Sequence, residues 1–245
     1  MSVDTQNPVL TARIGQARQR IAAAAREAGR SPDEITLVAA TKVQTAETVR
    51  QAIAAGVTVC GENRVQELTD KLAQNAYEGS RLHFIGQLQT NKVKYVVGRV
   101  ELIESVDSQR LLEAVEQQAA RLSLVQDLLL EVNIAGEASK AGASPGEIPA
   151  LARLACSMPH VRLRGLMCIP PPALSPGANR AFFAAARQLF VDIRNKIEDN
   201  NANMDTLSMG MSDDYEDAVR EGATLVRLGT ALFGPRPPRP NQDKL

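Results

Sequence analysis

The sequence has no tryptophan, and aromatic residues make up only 3% of its 245 positions. A binder of single-stranded nucleic acid needs ring platforms on which bases stack, so that class is a poor fit. Net charge is absent too, because 28 basic residues balance 28 acidic ones. That removes the electrostatic footprint of a protein that grips nucleic acid or an anionic membrane. Only two histidines occur, His83 and His160, the latter following Pro159 in a loop. A multi-histidine metal site or a histidine-based triad would lack members. The three cysteines, Cys60, Cys156 and Cys168, form no CxxC pair and no metal-ligand spacing. Cys60 and Cys168 fall in expected strands, where a cysteine acts as a small buried hydrophobe. Their odd number and the lack of a signal peptide lead us to expect a cytoplasmic protein. No apolar run approaches the length that spans a bilayer.

What is present is an ordinary globular composition, 44% hydrophobic and 23% charged. The length suits one large barrel or two modest domains. Short apolar runs at 35–40, 57–61, 82–86, 102–106, 127–134, 163–169, 207–211 and 225–229 read as strands. Helical spacing falls before the first, at 9–28, and between the others, at 45–55, 63–74, 92–97, 108–122, 145–157, 178–198 and 213–221. Eight buried strands alternating with helices give an α/β chain folded as a single (β/α)8 TIM-type barrel. A doubly wound open sheet is the alternative, but no Gly-x-Gly-x-x-Gly turn follows the first strand. The barrel with its N-terminal helix is expected to occupy residues 1–234. Residues 235–245, with four prolines in the first six, read as a disordered tail.

Barrels of this kind carry their chemistry where strands end and βα loops begin. Lys42 closes the first strand. Glu62, Asn63 and Arg64 follow the second, and Gln87, Gln89 and Asn91 the third. Asn133 closes the fifth, Met167 lies near the end of the sixth, and Ser208 and Ser212 bracket the end of the seventh. Arg227, Gly229 and Thr230 close the eighth. A lysine at the end of a buried strand is either solvated or a Schiff-base nucleophile. The loops after strands seven and eight, with Ser208, Gly210, Ser212, Gly229 and Thr230, have the hydroxyls, glycines and helix N–H groups of a phosphate site. Ser212 and Thr230 can equally cap their helices. Arg227 sits in an otherwise Leu-Val-x-Leu strand, so it either pairs with a barrel carboxylate such as Glu62 or meets a ligand. His83 reads as a hydrogen-bonded core or rim histidine rather than a catalyst.

Several stretches resemble the pyridoxal-phosphate homeostasis protein family. They are Ala40-Thr41-Lys42, Gly61-Glu62-Asn63-Arg64-Val65-Gln66-Glu67 and His83-Phe84-Ile85-Gly86-Gln87-Leu88-Gln89-Thr90-Asn91-Lys92. Further on come Gly165-Leu166-Met167-Cys168-Ile169-Pro170, Leu207-Ser208-Met209-Gly210-Met211-Ser212 and the run from Val226 to Gly234. The resemblance implies a barrel similar to the N-terminal domain of alanine racemase, with pyridoxal 5'-phosphate (PLP) held as an internal aldimine on Lys42. It implies Arg227 facing the pyridine nitrogen, Ser208, Gly229 and Thr230 at the phosphate, and Asn63, His83 and Met167 lining the ring site. Gly210 belongs to the same cofactor loops. One departure stands out: Val43-Gln44-Thr45 follows the lysine, where many members have a second lysine and a proline.

The resemblance also implies a store, buffer or donor of PLP with little or no catalysis. An arginine at the pyridine nitrogen weakens carbanion stabilisation. Racemisation needs a second base, and Tyr77, Tyr95 and Tyr215 have no argued place as one. A racemase-like enzyme of low activity is the alternative, and a cofactor-free Schiff-base aldolase a third reading, disfavoured by Arg227. Apo PLP-dependent enzymes and amino or keto acids are the candidate partners of an expected monomer. Lys140, in the polar loop 135–143, is a candidate secondary aldehyde trap.

Overall fold

A computed structural model describes residues 7–137, 140–197 and 202–235. Eight parallel strands close into one barrel in sequence order: β1 (Thr36–Ala40), β2 (Val59–Glu62), β3 (Arg81–Phe84), β4 (Leu102–Val106), β5 (Gln126–Val132), β6 (Val161–Cys168), β7 (Ala202–Ser208) and β8 (Leu225–Leu228). The helices outside are α1 (Pro8–Glu27), α2 (Ala46–Ala54), α3 (Val65–Leu72), α4 (Gln109–Arg121), α5 (Ile148–Cys156), α6 (Arg180–Arg194), α7 (Tyr215–Arg220) and α8 (Thr230–Phe233). No helix among the described residues is long and apolar enough to cross a membrane. The tail expected from 235 onward lies, after Pro235, outside the described residues.

Helix α1 starts where Asn7 caps the Leu10 N–H and Pro8 occupies the first turn, a position that needs no amide hydrogen. Its buried stripe, Leu10, Ile14, Ala17, Ile21 and Ala24, follows helical spacing. This stripe packs on α2, α7 and α8. Since α8 is a single turn, α1 covers the part of the barrel wall that a longer final helix would shield.

Inside and outside of the sheet are told apart by strand period. Val38, Val59, Leu102, Leu129, Met167 and Leu225 form an apolar plug within the barrel. Their strand neighbours, among them Ala39, Cys60, Ile103, Leu128, Leu130, Leu166 and Val226, pack outward against the helices. Both faces are thus buried, as a parallel sheet requires.

Two elements differ from the sequence pattern. The segment at 92–97 forms a 3-10 turn, Thr90–Tyr95, with no side-chain cap at Gln89. The seventh strand runs over Ala202–Ser208 rather than 207–211. The Met209-Gly210-Met211 alternation imitates a strand, but Gly210 adopts φ +92°. A Cβ there would lie 2.5 Å from the Ala218 Cβ, so Gly210 turns the chain tightly against α7 instead of extending β7.

Gly165 marks where β6 and β7 approach too closely for any side chain, since a Cβ would sit 1.7 Å from the Thr206 carbonyl oxygen. Gly165→Ala is expected to destabilise by about 3 kcal/mol or more. By contrast Gly15 lies in the exposed face of α1 with nothing within 4 Å, so Gly15→Ala should stabilise by about 0.5–1 kcal/mol. Denaturant unfolding of the two variants checks the pair, and equal effects would contradict it.

Candidate functional site

A cavity of about 510 Å³ opens at the C-terminal ends of the strands, within the usual size of small-molecule sites. Lys42, Asn63, Gln87, Glu131, Ile169, Ser212, Arg227, Gly229 and Thr230 all contribute to its wall. It draws on seven of the eight strands' ends, which is why no local stretch of chain defines it.

Lys42 reaches the cavity because of what holds Thr41. Along β1, Val38 and Ala40 face inward, so Lys42 does as well, while Thr41 turns outward. There the Thr41 hydroxyl donates to Glu62 at 2.7 Å. Lys71 Nζ donates to the Thr41 carbonyl at 2.8 Å and to Glu62 at 2.6 Å. The Tyr77 hydroxyl also donates to Glu62, at 3.0 Å. Burial, with the Glu62 charge and hydrogen bond, pushes the Tyr77 phenol far above its usual pKa and keeps it a donor. Beyond Lys42, the Val43 N–H donates to Glu67 at 2.7 Å. Val43 takes φ +60°, strained for a β-branched residue by about 1–2 kcal/mol. The clamp of Glu62, Glu67, Lys71 and Tyr77 overcomes that strain and fixes the turn.

Arg227 enters the cavity from β8 and is 4% exposed. Its guanidinium donates to the Ser208 hydroxyl and, at 3.0 Å, to the Cys168 carbonyl. Glu104 Oε2 lies 3.8 Å away. The barrel carboxylate beside Arg227 is therefore Glu104 and not Glu62. Glu62 points outward from β2 and serves Lys71, so the sheet itself separates it from Arg227. Burial alone would push the Glu104 carboxyl up. The His83 hydrogen bond and charge, with Arg227 and Ser208, outweigh it and hold the carboxyl below its usual range.

Glu131 is the second interior carboxylate, 6% exposed and part of the cavity wall. Burial and the nearby Asp107 raise its pKa to about 7, against the pull of Arg227. Cys60 and Cys168 are buried thiols raised by burial to about 11 and about 12, consistent with inert packing roles.

The cavity unites Lys42, Asn63, Arg227, Gly229 and Thr230. It does not include the other four cofactor candidates. Met167 is fully buried in the apolar plug, and Ile169, the next inward residue of that chain segment, forms the wall instead. His83 is buried with Nδ1 on Glu104 at 2.8 Å, and it borders a different cavity among strand N-termini. Ser208 is enclosed between Arg227 and Glu104, leaving its hydroxyl no reach to the mouth. Gly210 packs on α7, as described. Ser212 caps a helix while also lining the cavity: its hydroxyl accepts from the Gly229 and Ala231 N–H groups at 3.2 and 3.1 Å. It caps α8 rather than the helix that follows it in sequence.

The remaining polar residues separate similarly. Gln89 and Arg64 line an adjoining groove with Lys92 and Tyr95. Lys140 pairs with Glu137 at 3.5 Å in its loop. Among the tyrosines, Tyr77 sits behind Glu62 and Tyr215 is buried against Arg20, so none of the three borders the cavity. Glu131 and Glu104 escape sequence analysis, although each interrupts an apolar strand as Arg227 does.

The comparisons agree with this fold. The family of the alanine racemase N-terminal domain matches residues 13–237. A pyridoxal phosphate homeostasis protein of Pseudomonas aeruginosa is 43% identical, covering 91% of this chain and 94% of its own length. The one from Escherichia coli K12 is 39% identical over 91% and 95%. The chain belongs to the pyridoxal phosphate homeostasis protein family. Among solved structures, PipY of Synechococcus elongatus with PLP bound superimposes with a TM-score of 0.79 at 33% identity, over 92% of this chain and all of that one. Alanine racemase from Streptomyces lavendulae shares the fold, with a TM-score of 0.73 at 16% identity over 95% and 58%. The homeostasis family therefore matches the whole barrel, and the racemases match it with their own chains extending further.

Glu131 makes stability pH-dependent with a definite sign. The folded chain keeps this carboxyl protonated up to about pH 7, whereas the usual value is 4.5. Its contribution is therefore full below the unfolded pKa and lost as pH rises through 7. Over that window the loss amounts to about 3 kcal/mol. Glu131→Gln removes the titration, so its unfolding free energy should fall less than wild type between pH 5 and 8. Parallel curves would refute the assignment.

Proposed function

We propose that this protein binds PLP reversibly through Lys42 and stores, buffers or hands over the cofactor with little or no turnover. The observation that carries this is the shared cavity of Lys42 and Arg227. Their strands are paired neighbours, with Val38 opposite Arg227. Lys42 thus lies four residues along the chain beyond Val38, in the turn that follows the end of β1 at Ala40, toward the mouth from the level at which Arg227 is rooted. An amine at the rim and a guanidinium rising from below suit a flat, anionic, aldehyde-bearing ring.

The residues present fit that group. Asn63 Oδ1 is buried without a hydrogen-bond partner, an acceptor a ligand donor would satisfy. Gly229, Thr230 and Ser212 would meet the phosphate, with Ser212 in the place expected of Ser208. A phosphate that reaches the Gly229 and Ala231 amides would have to share or displace the Ser212 hydroxyl. PLP supplies an aldehyde that a primary amine captures reversibly, and Lys42 is the amine that would do so. Arg227, permanently cationic, would leave the ring nitrogen unprotonated and weaken its use as an electron sink.

That argument favours a carrier over a catalyst. PipY with PLP bound and the homeostasis relatives support the same reading. We place this role in the cytoplasm, where buried unpaired thiols such as Cys60 and Cys168 persist. A weak racemase-like activity is the second reading, and one observation favours it. Glu131, with a pKa near 7, is a proton acceptor in the cavity wall.

Borohydride reduction followed by peptide mass mapping tests the proposal. We expect one phosphopyridoxyl group on the peptide containing Lys42 and none in Lys42→Ala. No adduct after incubation with PLP would refute it. Lys42-dependent loss of α-hydrogen from amino acids in deuterium oxide would favour the catalyst instead.

A further inference from the structure

Four side chains form a polar column through the barrel interior, and Glu104 stands at its centre. It is fully buried on β4. Glu104 Oε1 meets His83 Nδ1 of β3 at 2.8 Å. Glu104 Oε2 accepts from the Ser208 hydroxyl of β7 at 2.6 Å. Ser208 in turn accepts from Arg227 of β8. The direction of these bonds follows from chemistry alone. A guanidinium only donates and a carboxylate only accepts, so the serine proton must point to Glu104.

A guanidinium buried inside the barrel, with Arg227 only 4% exposed, requires a counter-charge nearby. Two interior carboxylates are close enough to interact with it, Glu104 and Glu131. Glu131 forms part of the cavity wall nearer the rim, and proton uptake near neutral pH makes its charge intermittent. Glu104 is ionised, lies deeper and is locked by His83. It is the group able to keep Arg227 from swinging toward Glu131 or a bound phosphate. Cys168, through its carbonyl oxygen, holds the other guanidinium nitrogen at 3.0 Å, completing a fixed orientation.

We propose that Glu104 is a positioning residue for cofactor binding, holding Arg227 through Ser208 at the orientation in which it meets the ring of PLP, with His83 locking Glu104 from behind. This rests on the PLP-binding reading above. It reassigns Ser208, whose single proton is donated to Glu104 inside the barrel, from phosphate contact to link in the column.

The two roles of Ser208, and the action of Glu104 through Arg227, separate in a double-mutant cycle. PLP affinity and the absorption maximum of bound PLP are measured for wild type, Glu104→Gln, Ser208→Ala, Arg227→Gln and the two double variants containing Arg227→Gln. The melting temperature of each apo protein is followed in parallel. Glutamine keeps the shape of Glu104 and can still accept from Ser208, so mainly the charge is removed. We expect Glu104→Gln to weaken binding about tenfold, the size of a typical coupling between contacting residues, and to move the absorption maximum. Ser208→Ala should act in the same direction. In the Arg227→Gln background both effects should shrink below about twofold. Losses that multiply undiminished in that background would overturn the inference, because Glu104 or Ser208 would then act without Arg227. An unchanged affinity and spectrum in Glu104→Gln would overturn it as well. If Glu104→Gln does not fold, Ser208→Ala, which alters no charge, decides by the same criterion. Wild type that takes up no PLP would instead remove the functional reading on which the inference stands.

Discussion

A strand in a closed parallel barrel sends alternate residues into a cramped interior and the others against the helices, and this parity governs the site. It sends Lys42 and Arg227 inward, and Thr41 and Glu62 outward. A shift of one residue in any strand would exchange the two sets. Two polar clusters therefore exist on opposite faces of one sheet. The outer one clamps the turn that carries Lys42, and the inner one orients Arg227. Neither can substitute for the other, since the sheet lies between them.

Both clusters contain buried charge, which costs several kcal/mol per ion unless paired and hydrogen-bonded. Glu62 offsets this with Lys71, Thr41 and Tyr77 on a single oxygen, although its second oxygen has no hydrogen-bond partner. Glu104 does so with one partner on each oxygen. Such networks are poor sources of net stability but hold directions well. The arrangement suits a site whose task is to present one amine and one guanidinium to a small ligand. Glu131 is the exception, a carboxyl left to titrate in the cavity wall.

Much of the fold and part of the site are legible in the sequence. The eight strands appear as apolar runs at barrel spacing, and Lys42 and Arg227 stand out as charges in strand positions. The seventh strand is displaced in the sequence pattern because Met209 and Met211 around Gly210 copy strand alternation. Only the approach of Tyr215 and Ala218 reveals a tight turn there. Ser208 and Ser212 are indistinguishable in sequence as hydroxyls near one strand end, yet one lies enclosed in the barrel and the other faces the mouth. Glu104 and Glu131 carry the same signature as Arg227. They escape notice because a charge within an apolar run identifies burial, not a partner.

The amino-acid sequence by itself determined the fold class, the family and the end of the barrel where Lys42 sits. Periodicity and local motifs are short-range properties, and a chain carries them in order. Only the tertiary structure decided that Arg227 pairs with Glu104 rather than Glu62, and that Ser208 and His83 lie inside while Ser212 lines the mouth. Those partners are up to 123 residues apart along the chain, as with Glu104 and Arg227. Closure of the barrel brings them together, and strand register, set by the packing of every neighbour, decides which atoms meet.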